Sequence, residues 1–144
     1  MEFNPHFTQV FISSGAVGQN IQNQFVGSLF LLGGLGNNCL QFKNHDILMK
    51  QTMPIEKSFF PATCVKASTI FTFGGCNLNE KQQSRSLESY SMQSDKWSTN
   101  EDMKLVEARS QASACMLKSH LAFVFGGYNK ELGTLDSIEK VDFS

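Results

Sequence analysis

Three short runs along the chain alternate bulky apolar positions with smaller or polar ones, and each closes on a pair of glycines. They are Ser28–Gly34 (SLFLLGG), Thr69–Gly75 (TIFTFGG) and Leu121–Gly127 (LAFVFGG). Counted back from the glycines, Phe30, Phe71 and Phe123 fall in register, as do Leu32, Phe73 and Phe125. Alternation with a period of two predicts strands, and a glycine pair ending a strand predicts a bulge or a close approach of backbone. The last two runs sit inside a longer ungapped match. Lys57–Gly75 and Arg109–Gly127 are 19 residues each and share Ser58/Ser110, Ala62/Ala114 and Lys66/Lys118. Each predicts a strand, a tight turn near Lys66-Ala67 or Lys118-Ser119, and a second strand, which is an antiparallel hairpin.

The segments after the glycine pairs repeat as well. Gly33, Gly74 and Gly126 are 41 and 52 residues apart, within the range where repeat architectures show their period. After Gly75 comes a polar loop and then SLESYSMQSDKW, in which Tyr90 and Trp97 are separated by six residues. Phe42 and Met49 have the same separation after Gly34. After Gly127, Ser137-Ile138-Glu139 parallels Ser86-Leu87-Glu88. Each unit therefore predicts two hairpins, with a loop holding Met53 or Met103 ahead of Lys57 or Arg109.

These residues resemble the kelch repeat, whose pattern is a diglycine after an apolar strand, then Tyr, six residues, Trp, then Met and Arg before the next strand. Gly74, Gly75, Tyr90, Trp97, Met103 and Arg109 fit it in order; Gly33 and Gly34 open a degenerate unit, and Gly126 and Gly127 a shortened one. The resemblance implies an all-β fold: a kelch-type β-propeller fragment built of four-stranded antiparallel blades in an incomplete ring. The expected division is an N-terminal segment 1–24, partly ordered or the remnant of a preceding blade, and repeats over 25–144. Within the repeats, 25–56 is degenerate, 57–108 complete and 109–144 truncated. A blade has two apolar faces and buries both only against neighbours, with Tyr90 and Trp97 filling the wedge between them. Propellers close with ~4–8 blades. About two and a half units therefore suggest a fragment, a short paralogue, or a piece completed by other copies.

Composition narrows the function. Ile, Leu, Val and Phe supply 39 of the 144 residues, enough for a packed core. The net charge of -1 removes the basic excess that nucleic acid or an anionic membrane surface would want. Residues 1–42 carry one charged side chain, Glu2, so the N-terminal third, including the uncharged Gln19–Gln24, reads as covered or poorly ordered. Cys39, Cys64, Cys76 and Cys115 lack metal-ligand spacing, and His6, His45 and His120 are equally scattered, which fits reduced thiols in a cytoplasmic protein without a metal. No nucleotide-binding, hydrolase or metalloprotease motif occurs, and Glu101-Asp102 reads as a solvated turn.

The expectation is thus a non-catalytic protein–protein interaction module without cofactors, a scaffold or adaptor piece meeting a protein partner through loops on a rim. Candidate recognition loops are Cys76–Arg85, Tyr128–Gly133 and Thr99–Glu107. The candidate contact residues are Asn77, Asn79, Lys81, Arg85, Tyr128 and Asn129. The resemblance implies roles such as substrate recognition in ubiquitin-ligase adaptors or scaffolding on cytoskeletal proteins, though residues 1–24 are too short for the BTB domain such adaptors carry. The alternative is a structural or assembly piece, self-associating or completing other blades through its edge strands.

Overall fold

The computed structural model describes residues 9–14, 27–33, 36–43, 46–65, 69–77, 79–118 and 120–144. Gly34, the stretch Gln19–Gln24, and the hairpin tips at 66–68 and 119 lie outside them. Among the described residues every regular element is a β-strand: β1 Gln9–Ser14, β2 Gly27–Leu32, β3 Cys39–Lys43, β4 Asp46–Met49, β5 Ala62–Val65, β6 Thr69–Phe73, β7 Cys76–Asn77, β8 Gln82–Gln83, β9 Leu87–Ser91, β10 Lys96–Thr99, β11 Ser113–Lys118, β12 Leu121–Phe125, β13 Tyr128–Asn129, β14 Gly133–Thr134 and β15 Ile138–Asp142. They make three blades in chain order, β1-β2-β3-β4, β5-β6-β9-β10 and the three-stranded β11-β12-β15, together with two small hairpins, β7-β8 and β13-β14. All pairings are antiparallel, and β5 lies beside both β1 and β11. The fold is the expected one, an all-β stack of antiparallel blades in an incomplete ring.

Alternation decides what each blade face meets. The first seam gathers Phe30, Leu32 and Cys39 of the first blade with Ile70 and Tyr90 of the second, and adds Met53 and Phe60 from the connecting segment. The second seam packs Phe73 and Leu87 of the second blade on Ala122, Val124 and Val141 of the third, with Leu105 from the connection. Phe143 closes that seam with its ring centroid 4.4 Å from Phe71. The in-register Phe positions of β2 and β6 therefore face forward, towards the next blade.

Tyr90 and Trp97 do fill the wedge. They stand opposite each other on β9 and β10 with ring centroids 5.1 Å apart, and Phe30 meets Tyr90 edge-on at 6.0 Å. Their polar ends tie the first blade's exit loop to the second blade. The Tyr90 hydroxyl donates to Asp95 Oδ1 at 2.8 Å, the Gln51 N–H donates to the same oxygen at 3.0 Å, and Trp97 Nε1 donates to the Gln51 carbonyl at 2.7 Å. Burial pushes the Tyr90 hydroxyl well above its ordinary pKa, so it stays a donor. Burial also pushes the Cys39 thiol up to about 12, which keeps it protonated.

In the first blade the register differs from the expected spacing. Phe42 stands opposite Ile47, as Tyr90 stands opposite Trp97, whereas Met49 pairs with Leu40. The β3-β4 turn is two residues shorter than the β9-β10 turn, so Ile47 takes the tryptophan's place. The connecting loops differ too. Met53 donates its N–H to Asn37 O, and Leu105, not Met103, makes the equivalent bond, to Arg85 O. Leu105 is accordingly the buried residue, while Met103 packs at the margin of the seam.

The diglycines answer to a specific crowding. Gly74 has φ +58°, and a Cβ there would lie 2.5 Å from the carbonyl oxygen of Arg109 and 3.0 Å from that of Ser84. Gly127 meets the Ser110 carbonyl oxygen at 2.6 Å in the same way. The crowding element is thus the segment entering the third blade rather than neighbouring strands. Gly74→Ala is expected to lower stability by about 3 kcal/mol or more in urea unfolding. Gly133→Ala, at φ +80° with nothing within 4 Å, should lower it by only about 1 kcal/mol. Equal effects would contradict the steric origin.

A second expectation concerns acid. The Gln51 N–H, and after it the Tyr90 hydroxyl, hold the Asp95 carboxyl below its ordinary 3.8. A depressed carboxylate contributes stability above its unfolded value and loses it as pH falls through the folded one. Trp97, the single tryptophan, reports this bridge. Its fluorescence is expected to shift as pH drops below about 4, and Asp95→Asn should flatten that shift.

Candidate interaction rim

Two related ion-pair pins set one edge of the blades. Arg109 is fully buried between the second and third blades. Its backbone belongs to the second: Gly75 N–H donates to Arg109 O at 2.8 Å, and Arg109 N–H to Ser84 O at 3.2 Å. Its guanidinium belongs to the third. Nη1 donates to Gly126 O at 2.8 Å and Ser137 O at 3.3 Å, and Nη2 to Ser137 Oγ at 2.9 Å, Glu107 at 3.0 Å and Glu139 at 2.5 Å. One side chain thus fixes the strand end at the diglycine, the start of β15 and the incoming segment. Glu139 in turn accepts the N–H groups of Val106 and Glu107.

Lys57 occupies the same position one repeat earlier. Buried with Glu88, it donates to that carboxylate, which also accepts Thr72 Oγ1 at 2.7 Å, and its ammonium lies 5.2 Å from the Phe60 ring centroid. Desolvation lowers the Lys57 pKa, and Glu88 offsets part of that. Among the described residues the lysine pin leaves Glu88 Oε1 without a partner, while the guanidinium reaches five acceptors around the third blade and leaves only its own Nε without one.

Beyond the pinned glycines the chain forms the rim. Asn77 Oδ1 accepts the N–H groups of Asn79 at 3.0 Å and Glu80 at 3.2 Å. Asn129 Oδ1 accepts those of Glu131 at 2.9 Å and Leu132 at 3.2 Å, in the same Asx turn one repeat later. Asn129 Nδ2 also donates to Ala108 O at 2.7 Å. These two candidate residues therefore build their loops, and their side-chain oxygens are committed. Bridges Ser58–Cys76 and Ser110–Tyr128 hold the base of each loop, and Lys130 N–H donates to Gln83 Oε1 at 3.1 Å, joining the two small hairpins.

The other candidates face solvent. Asn79 and Lys81 lie on the β7-β8 turn, Lys81 at φ 51°, and Tyr128 is 40% exposed. Arg85 is exposed and donates Nε to Leu105 O at 2.5 Å. It borders a groove of about 440 Å³ with Asn77, Gln82, Gln83, Ser84 and Lys104. A smaller pocket of about 140 Å³ shares Gln82 and Gln83 and reaches Asn129 and Lys130. The structure thus gathers the Cys76–Arg85 and Tyr128–Gly133 loops on one edge, and the third candidate loop joins them through Lys104. Gln83 and Lys104 were not singled out from sequence. Their signal was positional, since Gln83 lies inside a candidate loop and Lys104 two residues after Glu101-Asp102.

Among the described residues no cluster of three or more His, Cys, Asp or Glu is placed to hold a metal ion, and no helix is long and apolar enough to cross a membrane. Arg109→Ala is expected to destabilise the fold by about 3–5 kcal/mol in urea, by stranding Glu139 and two carbonyls. Arg109→Lys should recover part of that.

Residues 59–104, the second blade with its connections, match the family model of the kelch motif. No curated protein matches the chain. The motif marks an interaction module in general, and its family is for the most part non-catalytic.

Proposed function

We propose, from the kelch motif matched at residues 59–104, that this chain recognises a protein partner through the rim that carries its two small hairpins. One observation supports this most: the groove beside Arg85 and Lys104 lies on loops whose bases are tied down by Arg109, by both Asx turns and by the Gln83–Lys130 contact. Rigid loops lose little freedom on binding, which favours affinity. Asn79, Lys81, Arg85 and Tyr128 supply the outward contacts, while Asn77 and Asn129 shape the loops, and the repeats of 25–144 act as scaffold. The free thiols of Cys39, Cys76 and Cys115 fit a cytoplasmic setting.

A second reading has its own support. The forward face of the third blade carries exposed Phe125 and Ile138, and no strand among the described residues pairs with the outer edge of β15. Such an edge and face take another chain, which would make the protein an assembly piece.

Quantitative affinity capture from cell extract separates the two. If the rim recognises the partner, Arg85→Ala with Lys104→Ala should deplete captured proteins about tenfold or more, the equivalent of about 1.4 kcal/mol, while Ile138→Glu leaves them unchanged. Depletion by Ile138→Glu alone would favour assembly.

A further inference from the structure

We propose that Phe59 is the apolar anchor of the rim: it receives an apolar side chain carried on a peptide segment of the partner protein. This rests on the first reading above, that the rim recognises a protein.

Phe59 differs from the residues on either side of it. Lys57, Ser58, Phe60 and Pro61 are all buried, while Phe59 is 41% exposed. Its backbone is left-handed at φ 55°, a conformation that a bulky side chain rarely adopts. The next repeat accounts for the backbone but not for the side chain. Gln111 occupies the equivalent place, also exposed and also at φ 55°, and donates its N–H to Phe59 O at 2.7 Å. The fold therefore asks for the angle, and glutamine meets that need. An aromatic ring is not required there, and among the described residues no ring or cation–π contact involves Phe59. Single exposed apolar residues are ordinary on a surface. One held out of a buried run on an unfavourable backbone is not.

This exposure does not belong to an open blade face. The second blade packs on the first through one seam and on the third through the other, and β5, which follows Phe59, lies beside both β1 and β11. Phe59 thus stands at the inner end of the rim. The Ser58–Cys76 bridge ties its neighbour to the base of β7-β8, and the Ser110–Tyr128 bridge does the same for the neighbour of Gln111 at β13-β14. Tyr128, a second exposed aromatic, therefore stands at the base of the adjoining hairpin. A braced aromatic amid polar loops is where interfaces concentrate their energy, since burying the ring is favourable and little freedom is lost. The groove of about 440 Å³ and the pocket of about 140 Å³ on the same edge have room for a few side chains, which fits a peptide segment rather than a broad flat face.

A phage-displayed library of random linear peptides, panned on the immobilised full chain, tests this. Enriched peptides are then synthesised and titrated by fluorescence polarisation. They are expected to share an aliphatic or aromatic residue whose replacement by alanine in the peptide weakens binding about thirtyfold or more. Phe59→Gln, with the side chain the next repeat carries at the same angle, should weaken it as much without lowering the urea midpoint. Phe59→Leu should keep the affinity within about threefold. A benzophenone at the shared peptide position should crosslink to the segment holding Phe59, a readout that needs no variant. Crosslinks confined elsewhere, affinity that Phe59→Gln leaves intact, or enriched peptides with no common apolar residue would overturn the inference. In those cases, loss on Arg85→Ala with Lys104→Ala would keep the rim as the recognition surface, and indifference to every variant would end that reading as well. Failure to enrich any peptide would overturn the inference alone, because the capture experiment above decides separately whether the rim binds a folded partner.

Discussion

The buried guanidinium of Arg109 is the interaction on which the arrangement of the last two blades depends. Its main chain is hydrogen-bonded into the second blade and its side chain into the third, so a single residue sets their spacing and tilt. Burying a cation is unfavourable unless nearly every donor finds an acceptor. Here that condition forces Gly126, Ser137, Glu107 and Glu139 into one cluster. The diglycine follows from the same constraint. The Arg109 carbonyl must approach Gly74 closely to accept the Gly75 N–H, and only a residue without a Cβ leaves room.

Seen from this pin, the repeats are graded. Around the third blade the cation is arginine and its carboxylate partner also caps backbone N–H groups. Around the second blade it is lysine with fewer hydrogen bonds, and among the described residues Glu88 Oε1 lacks a partner as Arg109 Nε does. In the first blade the position equivalent to Glu88 is Leu40, so no acid stands there. The first seam leans instead on aromatic packing and on the Tyr90–Asp95–Gln51–Trp97 bridge. Polar pins and apolar wedges therefore substitute for one another along the stack, which is how diverged repeats keep a common geometry.

Much of this was legible in the sequence, because strands and diglycines are local signals. The register of Phe30, Phe71 and Phe123 located β2, β6 and β12, and the ungapped match located the hairpins β5-β6 and β11-β12. What stayed hidden involved changes of spacing or contacts distant in sequence. A turn shorter by two residues moved the partner of Phe42 from Met49 to Ile47. A loop of different length made Leu105, rather than Met103, the counterpart of Met53. The Arg109–Glu139 pair spans 30 positions, and no periodicity announces it. The small hairpins β7-β8 and β13-β14 have strands of two residues, too short for alternation to register.

The rim gained its meaning only from that hidden part. In the sequence Asn77 and Asn129 looked like contact residues because they are polar and lie in loops, but each spends its side-chain oxygen on its own turn. That commitment is also what makes the neighbouring positions useful. A loop closed by an Asx turn, seated on a pinned glycine pair and braced against the next loop by Gln83, presents Lys81, Arg85 and Tyr128 with little freedom left to lose. On the proposed reading, recognition and stability are divided between adjacent residues of the same loop. Substitutions at the outward positions would then change the rim surface without disturbing the pins that hold the blades, a division that lets a repeat scaffold carry varied surfaces.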